Sequence, residues 1–144
     1  MDVLLIAAHS GFAMLWLGCV LTEALFERAM LAGDRGSHLR LADLHVRVDT
    51  FIEIPAILIV VATGVVLWLR HPQAGVAFFL MLDAGLVAVA ANAWCVWLVF
   101  ARRTAARAER WDDFDRLDDV QHKVGAVVLL GLLTALVAGV VGRL

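Results

Sequence analysis

The chain has no tyrosine, two prolines, two cysteines and little charge, with 18% of its 144 residues being Asp, Glu, Lys or Arg. A soluble domain carries nearer ~25% charged residues to cover its surface. The shortage, together with a mean hydropathy of +0.87, excludes an ordinary water-exposed exterior. Cys19 and Cys95 each stand alone inside an apolar run and no Cys-x-x-Cys occurs. The spacing does not support a disulfide framework, and both thiols read as small buried hydrophobes. No Walker-type, dinucleotide or Ser/His/Asp pattern narrows a reaction. Met1-Asp2 offers no positive n-region and the apolar stretch after it is too long for a signal peptide, so the first span is expected to stay in the mature protein.

What is present is long apolar runs. Four of them, Val3 to Phe26, Ile52 to Leu69, Val76 to Phe100 and Val124 to Val141, reach the ~18 residues that a bilayer crossing needs. Their Leu, Val and Ala content, without strand-like alternation, points to helices, since lipid admits only helices and closed barrels. The expected fold is all-α: one four-span transmembrane domain over residues 1–144, an antiparallel up-down four-helix bundle.

Ten of the twelve basic residues (Arg28, Arg35, Arg40, Arg47, Arg102, Arg103, Arg107, Arg110, Arg116 and Lys123) flank the connections after the first and third spans, and only Arg70 and Arg143 lie at the other side. By the positive-inside rule those connections are cytoplasmic and both termini face outward, as in a multi-pass protein of a bacterial-type inner membrane. Acidic and basic residues interleave between Ala101 and Asp119, and the net charge is -2, which argues against nucleic acid as a partner and against a polybasic lipid patch. Membrane lipid and further copies of the same chain, as a homo-oligomer, are the partners expected.

Ionisable groups inside the spans carry the functional signal, because each costs ~2.5 to 3.5 kcal/mol at a span's centre unless it finds a partner. His45, Asp49 and Glu53 are spaced i, i+4, i+8 and share one helix face. Pro55 follows at once and predicts a disruption of the helix there. On the first span His9, Trp16, Glu23 and Glu27 fall within about 40° of one another, while Leu4, Leu15, Leu17 and Val20 are expected to meet lipid. Asp118 and Asp119 stand i, i+4 and i, i+3 from His122, spacings that chelate one ion. With antiparallel neighbours, Glu23, Glu27, His45, Asp49, Glu53, Asp118, Asp119 and His122 arrive at one level, where six acids require cations, shared protons or partners such as Arg47 and Lys123. At the opposite level Asp83, sharing a face with Val87, Ala90, Trp94 and Trp97, is expected to pair with His9 or to orient it. Ser37 is expected to cap the second helix, and Thr63-Gly64 to permit close helix approach.

His9-x6-Trp16-x-Gly18, Pro55 followed by Thr63-Gly64 and an aliphatic tail, and Lys123 opening the last span resemble the four-helix core of the copper-resistance D-type membrane proteins and the related HemJ-type protoporphyrinogen oxidases. The resemblance implies a histidine-dependent haem or metal function in the membrane, with His9 at the position of the family's first-span histidine. The His45-Asp49-Glu53 row with a facing Asp119 and His122 departs from the HemJ-type pattern.

Three functions fit these residues. The first is a transition metal, one ion or a pair, of zinc, iron or manganese, held by the His/carboxylate cluster at the cytoplasmic end for redox or hydrolytic chemistry. The second is a b-type haem with His9 axial, or His45 or His122 in its place. The third is a proton- or ion-relay subunit that needs an oligomer to enclose its path. A network of salt bridges is the alternative to all three.

Overall fold

The computed structural model describes residues 2–30, 33–71 and 75–142, and over these the chain is entirely helical or turn. Four helices follow one another: α1 Asp2–Met30, α2 Arg35–Arg70, α3 Val76–Arg107 and α4 Trp111–Val141. At 29 to 36 residues each they are roughly 44 to 54 Å long, against a hydrocarbon core of ~30 Å. All four are long and apolar enough to cross a membrane. Residues 72–74 of the anticipated outer turn His71-Pro72-Gln73-Ala74-Gly75, and Arg143, lie outside the described residues.

The helices overrun the apolar segments, and two of their polar ends are capped. Most of the anticipated connection from Met30 to Leu44 is helix, with Asp34 rather than Ser37 as the cap. Asp34 Oδ1 accepts hydrogen bonds from the Ser37 amide at 2.8 Å and hydroxyl at 2.7 Å. An aspartate at this position satisfies the orphan amides of the first turn better than a residue three places later. Those two bonds hold the Asp34 carboxyl below the usual carboxylate range. At the other polar connection α3 stops in a tight turn: Glu109 adopts φ 55°, Arg110 N–H donates to Ala105 O at 3.0 Å and Glu109 N–H to Ala106 O at 3.1 Å. This pair of bonds, with a left-handed residue between them, is a helix stop that immediately reverses the chain.

Inside α2 the disruption expected at Pro55 takes the form of a π-helical turn over Asp49–Glu53, in which Ile54 N–H reaches back five residues to Asp49 O. Proline has no N–H to offer Phe51 O and its ring crowds that carbonyl; a wider turn relieves both. His45, Asp49 and Glu53 remain on one buried face through it, at 1%, 2% and 3% exposure.

Two cores hold the bundle. Trp16, Ala88, Val128 and Leu132 form one in the middle of the apolar section, with Leu17 and Val20 packed against it instead of facing lipid. Ala42, Ala105, Ala106 and Phe114 form the other, where the polar end of α2 lies on the α3–α4 hairpin. Small residues on α3 set its orientation: Ala88 and Asn92 turn inward, so Val87, Trp94 and Trp97 face out at 53%, 55% and 61% exposure. Asp83, on that outward face, is exposed too.

Close approach of α3 and α4 depends on Gly131, where an added Cβ would stand 3.0 Å from Ala84 O and from the Ala88 Cβ. Backbone blocks relief on that side. Gly131→Val is expected to destabilise the bundle by ~1 to 3 kcal/mol through overpacking, read as a lower melting temperature in detergent; Gly125→Ala, which meets nothing within 4 Å, serves as the neutral control.

Candidate functional site

The eight ionisable residues expected at one level separate into three groups. The organiser of the first is Arg102, a residue that the charge pattern assigned to a solvated connection. It is fully buried, with 0% exposure. Its Nη1 donates to Glu27 Oε1 at 2.9 Å and also to Asp118 Oδ1, and its Nη2 donates to His45 Nδ1 at 2.6 Å. The guanidinium also lies 5.5 Å over the Phe114 ring, a favourable cation–π placement. A planar fork with five donors is suited to gathering three partners from three helices.

Glu27 carries the network outward. Its Oε2 is 2.9 Å from His122 Nε2, and Gln121 Nε2 donates to its Oε1 at 3.4 Å. The second His122 nitrogen, Nδ1, lies 2.8 Å from the Asp118 carbonyl. Both ring nitrogens thus face oxygen acceptors, the arrangement that a doubly protonated imidazolium satisfies. The His122 side chain is 41% exposed and connects the network to the surface. Both His122 nitrogens lie against oxygen atoms of Glu27 and Asp118, and His45 Nδ1 against the Arg102 guanidinium.

The second group is Glu23, Asp49 and Glu53. One oxygen from each lies within 4.8 Å of the others, and they are the one set of three or more potential ligands so gathered among the described residues. Glu23 Oε1, Asp49 Oδ2 and Glu53 Oε1 are buried and lack a hydrogen-bond partner among the described residues. Three carboxylates cannot remain charged at this spacing out of water without a counter-ion or protons. Both α2 members come from the π-helical turn. Beside them Trp16 Nε1 donates to Asn92 Oδ1 at 3.2 Å, deep in the bundle. The third group is peripheral. Asp119 pairs with Lys123 at 2.6 Å, and both are exposed.

His9 lies toward the other end of α1. Its Nδ1 is 3.0 Å from Val60 O and 3.1 Å from Thr63 Oγ1. A Cβ on Gly64 would come 3.2 Å from its Cε1, so the Thr63-Gly64 pair admits the ring. The pairing expected with Asp83 is corrected by these contacts: the ring is held by α2, and Asp83 stands on the outward face of α3 because the small residues of that helix face the core.

Arg102 was missed because its position among Arg103 and Arg107 mimics a solvated basic run. Only the extension of α3 past the apolar segment, together with Ala105 and Ala106 on the same packed end, marks it as inward. No family model, curated protein or solved structure matches the chain, so its function is read from the chemistry of these side chains.

Removing the guanidinium leaves Glu27, His45 and Asp118 unpaired in the interior. Arg102→Ala is expected to cost ~3 to 5 kcal/mol, lowering the melting temperature in detergent by roughly 10 °C; adding Glu27→Gln and Asp118→Asn to it is expected to recover part of the loss, and a melt of the single and triple variants checks both.

Proposed function

We propose that the chain is a multi-pass integral membrane protein that binds a divalent metal ion at Glu23, Asp49 and Glu53. The observation that supports this most strongly is the gathering of three carboxylates, one oxygen of each within 4.8 Å of the others, each residue also carrying a buried oxygen without a hydrogen-bond partner among the described residues. Metal–oxygen bonds of ~2.1 to 2.4 Å place two ligands of one ion at up to about that separation. The donor set fits the group: all oxygen, formally triply negative, with neither nitrogen nor sulfur. Among manganese, iron and zinc, such a set suits manganese best. When bound, the ion supplies Lewis-acid or redox chemistry at the polar end of the bundle.

The chain's own residues supply the surroundings. Arg102 compensates Glu27 and Asp118, so that the network beside the site does not compete for the metal. The Trp16 core closes the apolar side. On the polar side Glu27 stands one helical turn from Glu23 and touches the half-exposed His122, which provides a step between water and the cluster. That step favours, as a second reading, a site that exchanges protons instead of metal. The basic residues around this end support placing it on the cytoplasmic side.

Elemental analysis and an absorption spectrum of the detergent-purified protein test the reading. About one manganese or iron per chain and no Soret band are expected. Glu53→Gln and Asp49→Asn each lower the metal affinity by about tenfold or more, since loss even of a group that only orients a ligand costs ~10- to 100-fold, whereas His122→Ala leaves it unchanged. A Soret band lost in His9→Ala would transfer the function to haem, and a metal-free, colourless protein would leave the proton reading.

A further inference from the structure

We propose that a phospholipid with an anionic headgroup seats in the groove where α3 turns into α4, its phosphate between Arg110 and Arg116 and an acyl chain along Trp97 and Phe100. The groove has a volume of about 370 Å³ and runs from the apolar flank of α3 to the polar turn. Its lower wall is apolar and outward: Trp97 is 61% and Phe100 42% exposed, and Leu117 of α4 faces them across the gap. Its upper rim holds Arg110, Asp113 and Arg116.

Charge at the rim is unbalanced. Both guanidiniums lean on the same carboxylate, Arg110 at 3.1 Å and Arg116 at 3.4 Å from Asp113, with side chains 58% and 77% exposed. The remaining basic residues nearby are committed elsewhere: Arg35 to Asp115, Arg103 and Arg107 to Asp43. Interleaving of acids and bases in this stretch argues against a polybasic surface when read along the sequence. The turn sorts them in part: Glu109 and Asp112 line a second hollow, which shares Arg110 and Asp113 with the groove, and neither lines the groove itself. What faces the groove is two guanidiniums against one carboxylate, above an aromatic wall. That is the complement of a phosphate with an apolar tail, at the depth where tryptophan and arginine meet the headgroup region.

The inference depends on the membrane reading above and is independent of the carboxylate site. It is tested by native mass spectrometry of the detergent-solubilised, delipidated full chain titrated with phosphatidylglycerol and, separately, phosphatidylcholine. One phosphatidylglycerol is expected to be retained at least fivefold more strongly than phosphatidylcholine. Each of Arg110→Gln and Arg116→Gln weakens that retention about fivefold, the effect of one basic residue at an anionic surface. Trp97→Ala weakens retention of both lipids, while Arg70→Gln, at the opposite end of the bundle, changes neither. The Arg side chains are exposed, and unchanged melting confirms that the variants fold. Equal retention of the two lipids, a preference that survives loss of both arginines, or displacement by millimolar inorganic phosphate alone would overturn the proposal. A chain that purifies without detergent would overturn the membrane reading and this proposal with it.

Discussion

A single buried guanidinium holds the polar end of this bundle together. Arg102 comes from α3, Glu27 from α1, His45 from α2 and Asp118 from α4, so one side chain ties all four helices at one level. Burying such a group is favourable only if nearly every donor is met by an acceptor and its charge is matched. Arg102 Nη1 meets Glu27 and Asp118, whose carboxylates match the charge, and Nη2 meets His45 as a neutral acceptor, while Nε stays buried without a partner among the described residues. Apolar contacts carry no direction of their own, whereas this junction does, and it fixes which ionisable groups meet at its level.

The consequence is a division of labour between two clusters one helical turn apart. On α1, Glu27 is drawn to the arginine and Glu23 is not. On α2, His45 is drawn to it, while Asp49 and Glu53 lie beyond, on the π-helical turn that Pro55 imposes. Charge compensation is therefore complete in one cluster and missing in the other. The uncompensated one is where a cation or a proton has a reason to reside, and the half-exposed His122, through Glu27, gives that end a contact with water.

The outside of the bundle is shaped by the same economy of small residues. Ala88 and Gly131 bring α3 and α4 into near backbone contact, which leaves the large side chains of α3 no place inside. Trp94, Trp97 and Phe100 are thereby exported to the exterior, and the helix stop at Glu109 brings Arg110 and Arg116 over them. The groove is a by-product of how tightly the hairpin closes.

Much of this was legible from residue order alone. Apolar runs of bilayer length determined four helices, Pro55 determined where the second would be disturbed, and the i, i+4, i+8 spacing of His45, Asp49 and Glu53 determined their shared face, because these are local consequences of helical periodicity and of a missing N–H. Trp16, Glu23 and Glu27 on one stripe of α1 followed from the same repeat. Which acids meet which bases did not follow. Arg102 reads as one of several solvated arginines until α3 is seen to continue past its apolar segment and Phe114 and the alanines pack around it. Asp83 reads as an inward partner for His9 until the alanines opposite it claim the core. Helix rotation and partner choice depend on side-chain volume summed over neighbouring helices, a quantity that no single helix encodes, and that is what the tertiary structure alone decided.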